Sequence, residues 1–366
     1  MAKPLEIPVD VREDFLRDNY PGCLDLLLKD HTTQENIYWA TDSYAQRGAG
    51  YGFSDPITVE LITGDNGDIV RPRAVKSREE QAKRVKDKAE VFTPSWVCNA
   101  QNNLVDEAWF GRPDVFNRVD PDNPHQWIDT EGDIVFPNTD GKTWKDYVAA
   151  RRIEITCGEA PYLVSRYDSV TGEPIRDLHH RIGLLDRKLI VVGQHTSTPN
   201  DWYLWAKIAL RATYGFEWQG DNLLLAREAL FATFMEFFYD KFGKIPDLKK
   251  LKGAAYVISW NLWQMDGLKY GLPGYDPKEP TDAEVKKIRL QESQSLFPDE
   301  NLLSSVEKDN FKPRERYCRI KDFIGKINIH SESLGNDNFK DKGTRQQKFI
   351  DIVNENSKNN KTIKTK

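Results

Sequence analysis

RIEITCGEAPYL, Arg152–Leu163, begins as a short apolar-alternating run and ends in a Cys-Gly step followed by Pro161. The Arg152–Thr156 part has the composition of a short buried strand, with isoleucine at every second position. Glycine directly after a strand lets the backbone approach a ligand closely, and proline suits the first position of a following helix. The stretch therefore predicts the strand-to-loop junction of an α/β fold.

Working outward, strand and helix patterns alternate. Trp202–Ala212 is expected to be a helix capped by Asn200 or Asp201, and Thr213–Glu217 (TYGFE) a second strand. Asp221 is expected to cap a strongly apolar helix over Asn222–Tyr239 that buries Leu224, Leu230, Phe231, Phe234, Phe237 and Phe238. Ala254–Asn261 (AAYVISWN) reads as a third strand. This alternation implies βαβ units, a mostly parallel sheet and an α/β fold class. In such sheets ligands bind outside the carboxyl ends of the strands. Glu217 ends the second strand, where an acid can accept ribose hydroxyls. Asp266, with Asn261 in reserve, is the candidate for an adenine amine after the third. Trp260 and Trp263 read as core residues, with base stacking as the alternative.

Upstream, Val75–Glu90 reads as a charged, solvated helix whose lysines and arginines alternate with acids. In VFTPSWVCNAQNNLVDEAWF, Thr93 is a suitable N-cap and Pro94 a suitable first helical residue. Trp96, Val97, Leu104, Val105 and Ala108 form the apolar stripe of that helix. A Pro/Asp/Asn-rich stretch, Gly111–Lys142, reads as a long loop or small excursion. The domain division is an N-terminal extension at 1–150, an α/β domain at 151–325 and a polar tail at 326–366, expected to lack order.

Composition narrows the function class. A net charge of −5 argues against a protein that coats nucleic acid, though not against a local basic patch. Four scattered cysteines without a CxxC pair, and six histidines without HExxH, give no support to a disulfide framework or a metal site. No apolar run is long enough to span a bilayer, and MAKPLEIPVDVRED carries no secretory core. A cytoplasmic location is expected. No PD…(D/E)xK nuclease pattern stands out.

The order EVFTPSWV, EITCGEAPYL, YGFEWQGDNLLLAREAL and then the Asp266 segment resembles the adenine-specific DNA methyltransferases with an N-terminal FxTP motif, especially the shorter restriction endonuclease subunit M proteins. The resemblance covers about residues 30–325. It implies a Rossmann-like S-adenosylmethionine-dependent methyltransferase core, with S-adenosylmethionine as cofactor and DNA as partner. By position it carries Phe92, Thr93 and Pro94 to the methionine end of the cofactor. Cys157, Gly158 and Glu159 fall in the cofactor loop, Glu217 takes the ribose-binding place and Asp266 the adenine-contacting place. Ile155 stands where the family has proline, Glu159 where it has serine and Ala160 where it has a second glycine. The Asn/Asp-Pro-Pro-aromatic tetrapeptide that holds a flipped adenine is absent from the chain. The implied role is the modification component of a restriction–modification system, with the catalytic motif and target recognition supplied by other subunits. The alternative is a degenerate, non-catalytic cofactor- or DNA-binding scaffold.

Overall fold

The longest helix, GDNLLLAREALFATFMEFFYDKF at Gly220–Phe242, is apolar on almost every side, and every residue from Gly220 to Phe238 is buried. A helix without a polar face belongs in the middle of a protein. A computed structural model describes residues 7–76, 86, 93–139, 141–273, 317–324, 329–330, 345–352 and 354. Within it the helices are α1 Glu13–Asn19, α2 Cys23–Leu28, α3 Val59–Ile62, α4 Ser95–Phe110, α5 Trp144–Ala149, α6 Leu184–His195, α7 Pro199–Arg211, α8 Gly220–Phe242 and α9 Leu248–Asn261. The strands are β1 Asn117–Val119, β2 Trp127–Asp129, β3 Arg152–Ile155, β4 Thr213–Glu217, β5 Leu262–Gln264, β6 Arg319–Asp322 and β7 Arg345–Lys348.

The architecture is mixed α/β, with a small parallel sheet of order β3-β4-β5 flanked by helices. Helices α6 and α7 connect β3 to β4, and α8 and α9 connect β4 to β5. The register sets Ile155 beside Phe216 and Phe216 beside Trp263, so these three share one face. On the other face, Gly215 faces the loop after β3. A Cβ added there would lie 3.1 Å from Cys157 Sγ. The main core draws residues from Val11 to Phe323, on both sides of position 150. A second cluster packs Tyr214, Phe216, Trp263 and Met265 against Cys318 and against Ile320 of the antiparallel β6–β7 pair.

Several elements differ from the expectation. Ala254–Asn261 is not a strand but the second half of α9, and the third strand is Leu262–Gln264. A run of apolar residues too short to show its period can be either, and here the preceding LKKLKG extends it into a helix capped by Asp247. Helix α7 starts one turn earlier than read, capped by Thr198 with Pro199 in its first turn, rather than by Asn200 or Asp201. Gln219, not Asp221, holds the N-cap position of α8, and Pro94, not Thr93, that of α4. Strand β3 is not fully buried: Ile153 is 46% and Ile155 67% exposed. Among the described residues β3 pairs only with β4.

The stripe expected to bury α4 is reversed. Trp96, Leu104 and Val105 face outward, while Asn99, Asn102 and Asp106 are buried. The stretch after α4 carries the antiparallel β1–β2 pair instead of being wholly loop. The charged helix expected over Val75–Glu90 lies for the most part outside the described residues. In the tail expected to lack order, Arg345–Lys348 forms β7. No helix among the described residues is long and apolar enough to cross a membrane.

Candidate functional site

The carboxyl ends of β3, β4 and β5 converge, and backbone hydrogen bonds hold them there. Cys157 N–H donates to Phe216 O at 2.8 Å, and Met265 N–H donates to Glu217 O at 3.0 Å. After β3 the chain turns sharply: Thr156, Gly158 and Ala160 all have positive φ, at 50°, 53° and 63°. Glycine takes this region freely, whereas threonine and alanine are strained there. The turn aims the Gly158 N–H at the end of β4, where it donates to Glu217 Oε2 at 2.9 Å. Gln219 N–H donates to Glu217 Oε1 at 3.1 Å. Burial pushes the Glu217 carboxyl up, and these backbone donors oppose that shift. A carboxylate has about four acceptor positions, so Glu217 keeps capacity for a ligand hydroxyl.

Glu159 points the other way. It accepts from Arg73 N–H at 2.6 Å and from the Tyr167 hydroxyl at 2.6 Å, which fastens the loop to residues 73 and 167. Cys157 is buried, and burial raises its thiol far above the ordinary range, so it packs rather than reacts. Asp266 closes its own turn: Oδ1 accepts from Leu268 N–H at 2.7 Å and Lys269 N–H at 2.9 Å. It follows Met265 directly and so stands beside the end of β4. Asn261, the reserve candidate, sits at the opposite end of β5 and donates to Leu210 O and Thr213 O.

The structure thus brings Gly158, Glu217 and Asp266 to one sheet edge. Thr93 instead lies beside the Tyr162 phenol, together with Cys98 and Glu154. Phe92 lies outside the described residues. The first turn of α4 already receives a carboxylate from the chain itself. Asp168 Oδ2 accepts the Ser95 N–H at 2.7 Å. Burial raises the Asp168 carboxyl, but donors from Ser95, Thr171 and Val170 outweigh it and hold the group low.

Over these strand ends lies the N-terminal extension. Gln264 clamps Tyr38 from both sides, accepting from its N–H at 2.9 Å and donating to its carbonyl at 2.8 Å. Gly220 N–H donates to Trp39 O at 3.0 Å. Beneath the extension, Tyr44 donates its hydroxyl to Asp221 Oδ2 at 2.8 Å, and Lys76 Nζ lies 4.0 Å from the same oxygen. Two turns further along α8 is Glu228, which together with Glu13 is buried with neither carboxylate oxygen hydrogen-bonded. Burial pushes both carboxyls well above their ordinary range, and each raises the other or is raised by Asp10.

The chain matches no known protein family, curated protein or solved structure. Sequence reasoning missed Tyr44, Lys76, Glu13 and Glu228, since nothing local marks a residue that becomes buried by contact with a distant helix. Asp221 carried a signal, but as a cap rather than as the centre of a buried polar cluster. Among the described residues no group of three His, Cys, Asp or Glu side chains can hold a metal ion.

Proposed function

We propose that this chain is the S-adenosylmethionine-binding modification component of a DNA restriction–modification system, built on a Rossmann-like methyltransferase half-sheet. The carrying observation is the Gly158 N–H donated to Glu217 across the adjoining carboxyl ends of β3 and β4. It sets a glycine turn and a strand-end acid side by side where doubly wound sheets take nucleoside cofactors. In this reading Glu217 accepts a ribose hydroxyl, Asp266 meets the adenine amine, and the turn at Cys157–Glu159 borders the cofactor's sugar. Phe92, Thr93 and Pro94 border its methionine end.

Methyl transfer to an adenine amine depends on in-line positioning and on acceptors that draw positive charge from the attacking nitrogen. The chain holds no Asn/Asp-Pro-Pro-aromatic motif to supply those acceptors, so the proposal assigns them to a partner subunit in the same cytoplasmic assembly. Ile153 and Ile155, exposed on β3, which among the described residues pairs only with β4, support a partner at that side of the sheet.

A second reading is favoured by Asp168, which occupies the helix terminus a cofactor carboxylate would need. It makes the chain a non-catalytic scaffold that grips DNA or its partners. Calorimetric titration of the full chain with S-adenosylmethionine separates the two. Binding that Glu217→Gln weakens at least about tenfold, the equivalent of one lost charge-assisted hydrogen bond, supports the first reading. No binding at millimolar ligand leaves only the scaffold. Methylation of DNA by the isolated chain would refute the divided active site.

A further inference from the structure

Away from the strand ends, a cavity of about 720 Å³ opens between α2, α9 and β7. Its size falls in the range of about 300–1,000 Å³ typical of small-molecule sites. Helix α9 lines it with Lys252, Tyr256 and Trp260, spaced four residues apart and so on one face; Asp25 of α2 and Lys29, which caps it, add to the wall. His31 completes the wall. Its ring stacks on Trp260 at 4.1 Å and 5°, and meets Tyr256 edge-on at 5.7 Å.

The protonation of His31 follows from its partners. The Ser259 hydroxyl donates to Tyr256 O at 3.0 Å, which uses its single proton. His31 Nε2 lies 2.8 Å from that hydroxyl oxygen, a hydrogen bond that seats the ring against α9. Burial, aided by Arg227, Lys29 and Lys321, pushes the imidazole down to about 3, so it is neutral. The cations Lys29, Lys252 and Lys321 and the carboxylate Asp25 are the charged groups of this wall. Lys321 is committed to the Tyr256 hydroxyl at 2.9 Å. Lys29 donates to the Gln34 carbonyl, which holds the amine against the wall with protons to spare.

We propose that this cavity binds a nucleotide. Lys29 and Lys252 take the phosphate, Asp25 accepts a sugar hydroxyl, and the base lies against His31 and Tyr256. Each feature suits one part of such a ligand: ammonium groups for the anion, a rim carboxylate for hydroxyls, and ring faces for a planar base. The ligand is either a free mononucleotide or a residue of a single strand.

Equilibrium dialysis of the full chain against AMP, adenosine, inorganic phosphate and a ten-residue single-stranded oligonucleotide, at one salt concentration, tests this. AMP is expected to bind at least about tenfold more tightly than adenosine or phosphate, and Lys29→Ala and Lys252→Ala each to lose about tenfold. Both lysines are at least partly exposed, so the thermal midpoint should stay in place and report that the fold is intact. Tighter binding of the oligonucleotide assigns the site to a nucleic-acid strand; equal or weaker binding assigns it to a free nucleotide. Binding of neither AMP nor the oligonucleotide at millimolar concentration, or binding indifferent to both lysine substitutions, overturns the proposal.

Discussion

Arg187 Nη1 lies 2.6 Å from Asp106 Oδ2, and the two side chains are 0% and 2% exposed. The guanidinium also donates to Asn99 Oδ1 at 2.8 Å and Asn103 Oδ1 at 2.7 Å, and Tyr147 donates to the other Asp106 oxygen at 2.9 Å. This network explains why α4 turns its asparagines inward and its aliphatic residues out. A buried guanidinium must be paired, and it selects the polar face.

Asp106→Ala leaves Arg187 charged and buried without its counter-ion. The expected cost is about 3–5 kcal/mol of unfolding free energy, measured by urea denaturation. The pair Asp106→Leu with Arg187→Met should recover part of that loss, because neither ion then needs a partner. A single-mutant loss below about 1 kcal/mol would show that the network does not hold α4 in place.

Glu13 and Glu228 carry carboxyls raised by burial above the ordinary 4.5. The folded chain therefore binds protons that the unfolded chain releases. Their contribution to stability is full below pH 4.5 and is lost as pH rises through the folded values. Glu228→Gln should raise the thermal midpoint at pH 8, with a gain that shrinks toward pH 5. A gain that grows on acidification would reverse the assignment.

Thr156 holds φ 50° with an exposed side chain and a branched Cβ. Thr156→Gly removes left-handed strain and should stabilise the protein by about 1 kcal/mol, offset by the added freedom of the unfolded chain. Chemical denaturation checks this. A loss of stability would mean that the Thr156 hydroxyl, which bonds Ile155 O at 2.7 Å, matters more than the strain.

At Gly220 a Cβ would stand 2.0 Å from Tyr38 O. Gly220→Ala must push the N-terminal extension away from α8, at an expected cost of about 1–3 kcal/mol or more. Limited proteolysis should then cut within residues 37–76 faster than in the unaltered chain. Unchanged cleavage and stability would show that the extension is not seated on the strand ends.

The sequence by itself determined the strand Thr213–Glu217, which matches its reading residue for residue, and the buried helix around Phe231–Phe238. The strand is a short run rich in β-branched and aromatic residues, and the helix is too long and too apolar to lie anywhere but inside. The sequence also placed Gly158 and Glu217 at strand ends, because a glycine turn and a terminal acid are local signals. Only the tertiary structure decided that α4 buries Asn99 and Asp106, and that Asp168 fills the helix terminus after Pro94. In each of those cases the deciding partner lies outside the window that carries the local pattern. Asp106 meets Arg187 81 residues away, and Asp168 meets Ser95 across 73. Hydrogen bonding and charge pairing in a buried setting override propensity, and neither can be read from the residues next door.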